Sequence, residues 1–568
     1  MAESPAAGVL HGLGVSAGRG AGIVVRVTDS APEPPPGLAP TGDAAVEAEL
    51  ALDALEQVAA DLERRGEKAG GEAQDVLVAQ AMMARDPGLV TEVHRHTGAG
   101  AAAARAVFDA FGGYRAAIAG AGDYLAARVA DVDDVRNRAV ARLLGVPVPG
   151  VPALSEPSVV VGRDLAPADT ALLDPALVAG LVTEEGGPTS HTAILARALG
   201  VPAVVACRGA VEIPAGVLAL VDGSTGDVVV DPPAPDIVDA RSDATRRQKA
   251  RASARASTGP GRLADGTAVS LLANVGGPAD VAPAVDAGAE GVGLFRTELA
   301  FLDRGTAPTE DEQAQLYAEV LSAFPDRRVV ARVLDAGADK PLPFLRGRDE
   351  PNPALGVRGI RALFDQPDLL ATQLRALVRS AQQTSARLEV MAPMVADAAE
   401  ARDFAAACRA VGFQGPVGVM VEVPAAAVRA SDVLAEVDFV SLGTNDLAQY
   451  LFAADRQVGA VARLQDPWQP ALLDLVSMTA DAARQRGKSC GVCGEAAADP
   501  ALACVLVGLG VSSLSAGPAA LPQVRATLAA HDLEQCRQAA RAARAATGAS
   551  EARTAALALL PGLGGLPG

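Results

Sequence analysis

The sequence has too few basic residues to balance its acidic ones. Its 568 residues include 49 Lys and Arg against 68 Asp and Glu, and the formal net charge is -19 at pH 7. Proteins that bind nucleic acids need a basic face to neutralise phosphates. The deficit therefore argues against a nucleic-acid-binding function and against attraction to an anionic membrane, whereas a basic protein partner would be attracted.

Two segments bear on whether the chain enters a membrane. Its first residues, MAESPAAGVL, contain no basic stretch followed by an apolar core, so we expect no secretory signal. The longest uncharged run, 501–524, contains Gly508, Gly510, Pro518 and Pro522, and we predict a helix followed by a buried strand instead of a transmembrane helix. A cytoplasmic location is expected.

Cysteine is scarce and scattered, which excludes a disulfide framework and suits a reducing compartment. The six cysteines are Cys207, Cys408, Cys490, Cys493, Cys504 and Cys536. Cys490 and Cys493 form a C-x-x-C pair, which could indicate a zinc or redox site. However, residues three apart on a strand point to opposite faces, and no second cysteine or histidine pair lies nearby. We therefore set a zinc site aside.

The chain is long enough for two to four domains, and half of its residues are hydrophobic. Its first residues are Gly-rich and β-branched, which predicts strands whose partners come later. A long block with helical spacing follows, and then strand-like runs return around one helix, TAILARALG. We predict an α/β domain made of residues 1–30 and 145–231, with a helical subdomain inserted at 31–144.

Residues 232–262 begin with PPAP and continue as a polar segment, which predicts a linker that contains a helix and acts as a hinge. From 263 to 568, eight strand-like segments alternate with helical patterns, as in a (β/α)8 TIM barrel. The segments are 269–275, 291–298, 328–337, 388–395, 417–424, 438–446, 489–495 and 512–517. In such barrels the catalytic side chains cluster at the C-terminal ends of the strands. We expect the functional site there.

One histidine stands in an unusual context. The segment GGPTSHTAILARALG places His191 on a Gly-rich turn at the start of a predicted helix. Free backbone N–H groups and the positive end of the helix dipole stabilise an anion at such a position. A phosphoryl group carried on His191 would be held there, although His191 could also serve only to cap the helix.

Five segments together resemble the signatures of the phosphoenolpyruvate-utilising enzymes. GGPTSHTAILAR resembles their phosphohistidine motif, and LFRTE, MVEVP, SLGTNDLAQY and GVCGE resemble their barrel motifs. The resemblance covers nearly the whole chain. It implies a phosphotransferase that takes a phosphoryl group from phosphoenolpyruvate onto His191, releases pyruvate and passes the group to a histidine-containing phosphocarrier protein for sugar uptake. It also implies a homodimer.

The resemblance further implies roles for residues at the barrel strand ends. Glu422 and Asp446 are the implied magnesium ligands, and two hard oxygen ligands with the rest of the shell left to water and substrate phosphate suit Mg²⁺. Cys493 is the implied proton donor that converts the enolate into pyruvate. The implied substrate-binding residues are Arg296, Arg332, Asn445, Asp446, Arg456, Arg358 and Lys340. A phosphate and a carboxylate on one small molecule call for permanently charged, bidentate donors.

The sequence departs from the family pattern without losing a charged catalytic group. The departures are Val333, Ala336, Ala338 and Val458. We expect them to affect loop geometry and substrate affinity. The helical subdomain carries no active-site motif, so docking of the carrier protein and plain scaffolding both stay open for it.

Three other functions are less consistent with the sequence. A dikinase or synthase with the same histidine and barrel modules would need an ATP-binding domain ahead of the histidine, where this chain has only the helical block. A non-catalytic regulator should have lost a catalytic group. A magnesium-dependent barrel lyase acting on small keto acids would not explain His191.

Overall fold

The chain forms two compact units, which meet in sequence between Thr245 and Arg246, inside the helix Ala234–Arg255. The computed structural model describes residues 8–16, 18–27, 32–69, 71–119, 129–146, 148–152, 154–165, 173–187, 190–255, 259–301, 304–337, 342, 344–345, 350–455 and 458–563. Of the residues predicted for the site, Lys340 and Arg456 lie outside these ranges, as does Ala338.

An eight-stranded sheet forms the α/β part of the first unit, in the order β1-β8-β7-β3-β4-β5-β6-β2. The strands are β1 (Val9–His11), β2 (Leu13–Ser16), β3 (Arg19–Arg26), β4 (Ser158–Gly162), β5 (Val178–Thr183), β6 (Ala203–Val205), β7 (Leu218–Asp222) and β8 (Asp227–Val230). Strand β1 pairs with β8, β2 with β6, and β3 with both β4 and β7. The prediction that the N-terminal strands pair with later strands is confirmed.

A helical region with its own core lies between β3 and β4 in the chain. Its helices are α1 (Ala44–Ala69), α2 (Gly71–Ala84), α3 (Pro87–Gly98), α4 (Ala103–Ala119) and α5 (Val129–Leu144). Their apolar stripes meet in one buried cluster that includes Leu55, Phe111 and Val135. Because this cluster is separate from the cores of the sheet, the helical block is an insertion with its own packing, as predicted.

A buried carboxylate ties the start of α1 to the start of α4. Glu47 is 2% exposed and accepts hydrogen bonds from the Thr41 hydroxyl at 2.9 Å, the Gly42 N–H at 3.0 Å and the Ala103 N–H at 2.6 Å. Burial by itself would raise the pKa of Glu47, but these donors together lower it below its ordinary value. The ionised side chain therefore holds two helix starts together.

The second unit contains a closed barrel of eight parallel strands. They are β9 (Ser270–Val275), β10 (Gly291–Arg296), β11 (Arg328–Arg332), β12 (Arg387–Ala392), β13 (Val417–Val421), β14 (Phe439–Leu442), β15 (Ser489–Val492) and β16 (Ser513–Ala516). All eight predicted strands are present. Strands such as β13, with the sequence VGVMV, read as continuous apolar runs because both faces of a parallel sheet are buried.

One helix, Ala234–Arg255, crosses the boundary between the two units along the chain, and further helices alternate with the barrel strands. The helices that follow the insertion are α6 (His191–Leu199), α7 (Ala234–Arg255), α8 (Val281–Asp286), α9 (Glu310–Ser322), α10 (Ile360–Phe364), α11 (Pro367–Gln382), α12 (Ala398–Ala410), α13 (Pro424–Val428), α14 (Ala430–Glu436), α15 (Thr444–Phe452), α16 (Pro470–Gln485), α17 (Pro500–Gly508), α18 (Leu521–Ala529), α19 (Leu533–Ala545) and α20 (Ala549–Leu557). The uncharged run at 501–524 forms α17 and then β16, as predicted. Within the described ranges, no helix has both the length and the apolar character needed to cross a membrane.

Candidate functional site

His191 is the first residue of helix α6 in the first unit. The helix begins after Ser190, whose side chain accepts a hydrogen bond from the Ala193 N–H at 3.3 Å, and it ends at Gly200 in the left-handed conformation. The first N–H groups of a helix have no partner within the helix and carry its positive dipole end. The prediction that His191 lies in the first turn of a helix is confirmed, and this backbone favours an anion.

In the second unit, most of the other described site residues lie at or just after the C-terminal strand ends. Arg296 ends β10 and Arg332 ends β11, while Glu422 directly follows β13. Asn445 and Asp446 lie in the first turn of α15, which follows β14, and Cys493 directly follows β15. Since β10 to β15 are consecutive neighbours around the barrel, these positions share one end of it.

Arg332 is a buried cation between two carboxylates. Its side chain is 9% exposed, and Nη2 donates to Oε1 of Glu298 at 2.9 Å while Nη1 lies 3.5 Å from Oδ2 of Asp335. Burial disfavours the charged form, but Glu298, Asp335 and Glu422 outweigh it and raise the pKa of Arg332 above its ordinary value. A permanent positive charge is thereby fixed at the barrel mouth.

Arg358 connects this ion pair to the end of β14. Its Nε and Nη2 donate to the two carboxylate oxygens of Asp335, and its Nη1 lies 3.2 Å from Oδ1 of Asp446. Nη1 also donates to the Tyr450 hydroxyl at 3.2 Å. Arg332, Asp335, Arg358 and Asp446 therefore form a continuous chain of alternating charges.

Glu422 is a buried carboxylate with one backbone donor. It is 1% exposed, and its Oε1 accepts a hydrogen bond from the Met394 N–H at 2.7 Å. Burial, and next the negative charges of Asp446 and Asp335, raise the pKa of Glu422 to about 8. The repulsion between Glu422 and Asp446 is of the kind that a bound cation relieves, and both supply the hard oxygen atoms that magnesium prefers.

This pair is a smaller donor set than a site built wholly from protein ligands. Among the residues that the structure describes, no group of three or more His, Cys, Asp or Glu side chains is arranged to hold a metal ion. Magnesium commonly keeps several water ligands and binds through one or two carboxylates together with substrate phosphate. The residues at the barrel mouth fit that mode of binding.

Cys493 carries a protonated thiol that faces the inside of the barrel. It is 2% exposed, it packs with Leu294, Met391 and Met420, and its Sγ donates to the Leu442 carbonyl oxygen at 3.5 Å. Burial raises the pKa of Cys493 to about 11. Cys490 instead packs in the large apolar cluster between the barrel strands and the surrounding helices. The prediction that these two thiols point to opposite faces is therefore confirmed.

Side-chain amides link neighbouring strand ends. Asn274 donates to the Cys493 carbonyl oxygen at 3.1 Å and accepts from the Ser515 hydroxyl at 2.6 Å. Asn445 accepts from the Glu495 N–H at 3.1 Å. These contacts fix the backbone around the thiol and beside Asp446.

Glu298 and Asp335 were not among the residues that the sequence predicted for the site. Glu298 follows Arg296 by two positions, and Asp335 follows Arg332 by three. Each contacts Arg332 in the structure. A carboxylate so close in sequence to a candidate phosphate-binding arginine at a strand end was the available signal.

The sequence matches three family descriptions in the order expected for the whole chain. Residues 11–128 match the N-terminal domain of the PEP-utilising enzymes, residues 154–226 match their mobile domain, and residues 250–533 match their PEP-binding domain. The PEP-binding match contains all of the strand-end residues described above.

Curated relatives are similar along almost the full length. A phosphoenolpyruvate-protein phosphotransferase of Streptomyces coelicolor is 64% identical over 532 residues, which cover 94% of this chain and 95% of the relative. A protein with the same name from Haloferax volcanii is 42% identical over 558 residues, covering 94% of this chain and 96% of the relative.

Proposed function

Since this chain belongs to the phosphoenolpyruvate-utilising enzyme family and has the phosphotransferase activity of Enzyme I, with transfer from phosphoenolpyruvate through its mobile phosphohistidine domain, we propose that His191 is the residue phosphorylated. The position of His191 at the start of α6 carries the assignment. Backbone N–H groups at a helix start stabilise the charge of a phosphoryl group on the ring.

The barrel mouth binds phosphoenolpyruvate through the positive charges of its arginines. Arg332 and Arg296 stand at adjacent strand ends, and Arg358 is held against Asp335 and Asp446. Asn445 and Asp446 complete the described part of the proposed site, which Arg456 and Lys340 join. Phosphoryl transfer needs chiefly positioning and charge neutralisation, and fixed guanidinium groups supply both without reorganisation.

Glu422 and Asp446 are the proposed magnesium ligands. Their hard oxygen atoms, their position on adjacent strand ends and the raised pKa of Glu422 support this assignment. A bound magnesium ion would add charge neutralisation on the phosphate.

Cys493 is the proposed proton donor. Loss of the phosphoryl group leaves the enolate of pyruvate, which needs one proton on its methylene carbon. The pKa of about 11 keeps the thiol protonated at neutral pH, so it can supply that proton. Its place on the inner face of the strand ends directs it into the barrel mouth.

The phosphorylated histidine then gives its phosphoryl group to a histidine-containing phosphocarrier protein that docks on the helical region at 31–144. Two apolar side chains one turn apart on α2 support docking there, because Val78 is 38% exposed and Met82 is 68% exposed. The excess of acidic residues in the whole chain would also attract a basic partner.

The remaining parts of the proposal rest on the family alone. The protein acts in the cytoplasm as a homodimer formed by the barrel domain, 263–568. The phosphohistidine domain, 1–30 with 145–231, alternates between phosphoenolpyruvate and the carrier, with 232–262 as the hinge. Helix α7 fills most of that hinge segment.

Incubation with phosphoenolpyruvate labelled in its phosphate tests the assignment of His191. The wild-type chain should acquire an acid-labile, base-stable label that is chased onto the carrier protein, and His191→Ala should acquire none. His94→Ala, which alters an exposed histidine of α3, is the matched control and should label normally. Normal labelling of His191→Ala, or an acid-stable label, would refute the assignment.

A further inference from the structure

The segment that follows Arg332 is buried although its sequence departs from the family pattern. Val333, Leu334 and Ala336 are at most 4% exposed, and Asp335 is 1% exposed. The segment has no regular secondary structure. Buried backbone N–H and C=O groups outside helices and strands need partners elsewhere, so other residues must fix this loop.

Gln373, on helix α11, supplies such partners. The side chain is fully buried, and its Oε1 accepts a hydrogen bond from the Leu334 N–H at 3.0 Å. Its Nε2 donates to the Thr297 hydroxyl at 2.9 Å and to the Tyr317 hydroxyl at 3.1 Å. Every polar function of this amide is therefore engaged.

Thr297 carries the connection to Arg332 itself. Its hydroxyl donates to the backbone carbonyl oxygen of Arg332 at 2.7 Å. The amide of Gln373 thus holds the chain on both sides of Val333, through the Arg332 carbonyl by way of Thr297 and through the Leu334 N–H directly. One residue further on, the Asp335 N–H donates to Glu298, the carboxylate that pairs with Arg332.

The hydrogen-bond network continues beyond Gln373 into helix α9. Tyr317 donates from its hydroxyl to Gln313 at 3.0 Å, and Gln313 donates to the Pro308 carbonyl oxygen at 2.9 Å. Tyr317 and Gln313 are fully buried on α9. Since Tyr317 accepts from Gln373 and is itself bonded to Gln313, the amide of Gln373 is held from the α9 side as well as from the loop.

We propose that Gln373 is a positioning residue for Arg332, setting the backbone from Arg332 to Leu334 so that the guanidinium meets phosphoenolpyruvate. This inference rests on the proposed role of Arg332 in substrate binding. The hydrogen bonds to backbone atoms do not depend on the side chains at 333 and 336, so the loop tolerates Val333 and Ala336 there. A displaced guanidinium would bind the substrate less tightly before the reaction as well as during it, which raises KM more than it lowers kcat.

The test is the steady-state kinetics of the full-length Gln373→Met variant, which keeps the volume of the side chain and removes its amide. The KM for phosphoenolpyruvate should rise by about tenfold or more while kcat changes less. Phosphorylation of His191 from the phosphorylated carrier protein, which needs no phosphoenolpyruvate, should stay at the wild-type rate.

Ser380→Ala on the same helix is the matched control. Ser380 is also fully buried, but its hydroxyl donates only to the Leu377 carbonyl oxygen of its own helix, at 2.9 Å. It should leave both KM and kcat unchanged, even where its melting temperature falls as far as that of Gln373→Met. A Gln373→Met enzyme with a wild-type KM would overturn the inference.

Thr297 provides the second measurement in case Gln373→Met does not fold. Thr297→Val should raise the KM as Gln373→Met does, and Thr297→Ser, which keeps the hydroxyl, should restore it. Equal KM values for the Val and Ser variants would overturn the inference. Arg332→Ala, measured in parallel, separates failure of this inference from failure of the proposed function. A wild-type KM for Arg332→Ala would refute the proposed substrate site itself.

Discussion

Arg358 grips both oxygens of Asp335, from Nε to Oδ1 and from Nη2 to Oδ2, each at 3.1 Å. Both side chains are 1% exposed or less. Removing one partner of a buried ion pair leaves the other charge uncompensated, which costs far more than the loss of a surface pair. The third nitrogen of Arg358 lies against Asp446, so this pair also fixes a proposed magnesium ligand.

Replacing Arg358 by lysine tests the bidentate contact with Asp335 and the contact with Asp446. Arg358→Lys keeps the charge but cannot bond both oxygens of Asp335 and reach Asp446 as well. We expect kcat/KM for phosphoenolpyruvate to fall by at least about tenfold, a loss of about 1.4 kcal/mol of transition-state stabilisation. Arg361→Lys is the control, since Arg361 pairs with Glu400 at a partly exposed position. Equal activity of the two variants would contradict the role of Arg358.

The proposed magnesium ligands give a prediction with a readout besides activity. Magnesium should raise the melting temperature of the wild-type protein, and neither Glu422→Gln nor Asp446→Asn should show that rise, because each loses one of the two charged ligands. Both variants should also fail to be labelled by phosphoenolpyruvate. Glu436→Gln, at the end of the outer helix α14, should respond like the wild type. A full magnesium-dependent shift in Glu422→Gln would rule out the site.

The two cysteines of the C-x-x-C pair should behave differently. Since Cys493 faces the barrel interior with a protonated thiol, Cys493→Ala should slow labelling of His191 but not abolish it, because enolpyruvate can leave and ketonise in water. Formation of phosphoenolpyruvate from pyruvate needs a base for the methyl proton and should suffer far more. Cys490→Ala, on the outer face, should alter neither direction. If Cys493→Ala also has wild-type rates in both directions, another residue is the proton donor.

The stability of the helical region should depend on pH through the ionisation of Glu47. Its pKa is lower in the folded than in the unfolded chain, so its stabilisation is present above the unfolded pKa and is lost as the pH falls through the folded one. Glu47→Gln should destabilise this region by about 1–3 kcal/mol near neutral pH, and by less in acid. Thermal unfolding followed by circular dichroism at several pH values measures this. Glu49→Gln, exposed on the same helix, should cost little at any pH.

The sequence predicts the barrel well because a buried parallel strand is a short, continuous apolar run that can be recognised locally. Segments such as VSLLANV and VGVMVEVP are apolar on both faces and stop at polar residues, so both strand and strand end could be read locally. Cys493 was placed correctly for the same reason. The roles proposed for the polar residues at those strand ends came from the likeness of five short motifs to a known family.

The contacts of Gln373 could not be predicted from local sequence patterns. It lies in DLLATQLRALV, an amphipathic helical stretch in which polar residues usually face solvent. Its partners Thr297 and Leu334 are 76 and 39 positions away in sequence, and only the closed barrel brings them to the same place. The pairing of Asp335 with Arg358, 23 positions away, could not be predicted for a similar reason, because a turn at Gly359, which has φ +60°, directly follows Arg358.

All six cysteines are reduced and buried. A thiol-reactive fluorophore or spin label would therefore find no ready target on the native chain, since both access and thiolate character govern such reactions. A cysteine introduced at exposed Met82, and another at exposed Met478 on the barrel helix α16, would react alone. The native chain therefore suits paired labels, which would measure in solution and during turnover whether the distance between the two labelled positions changes.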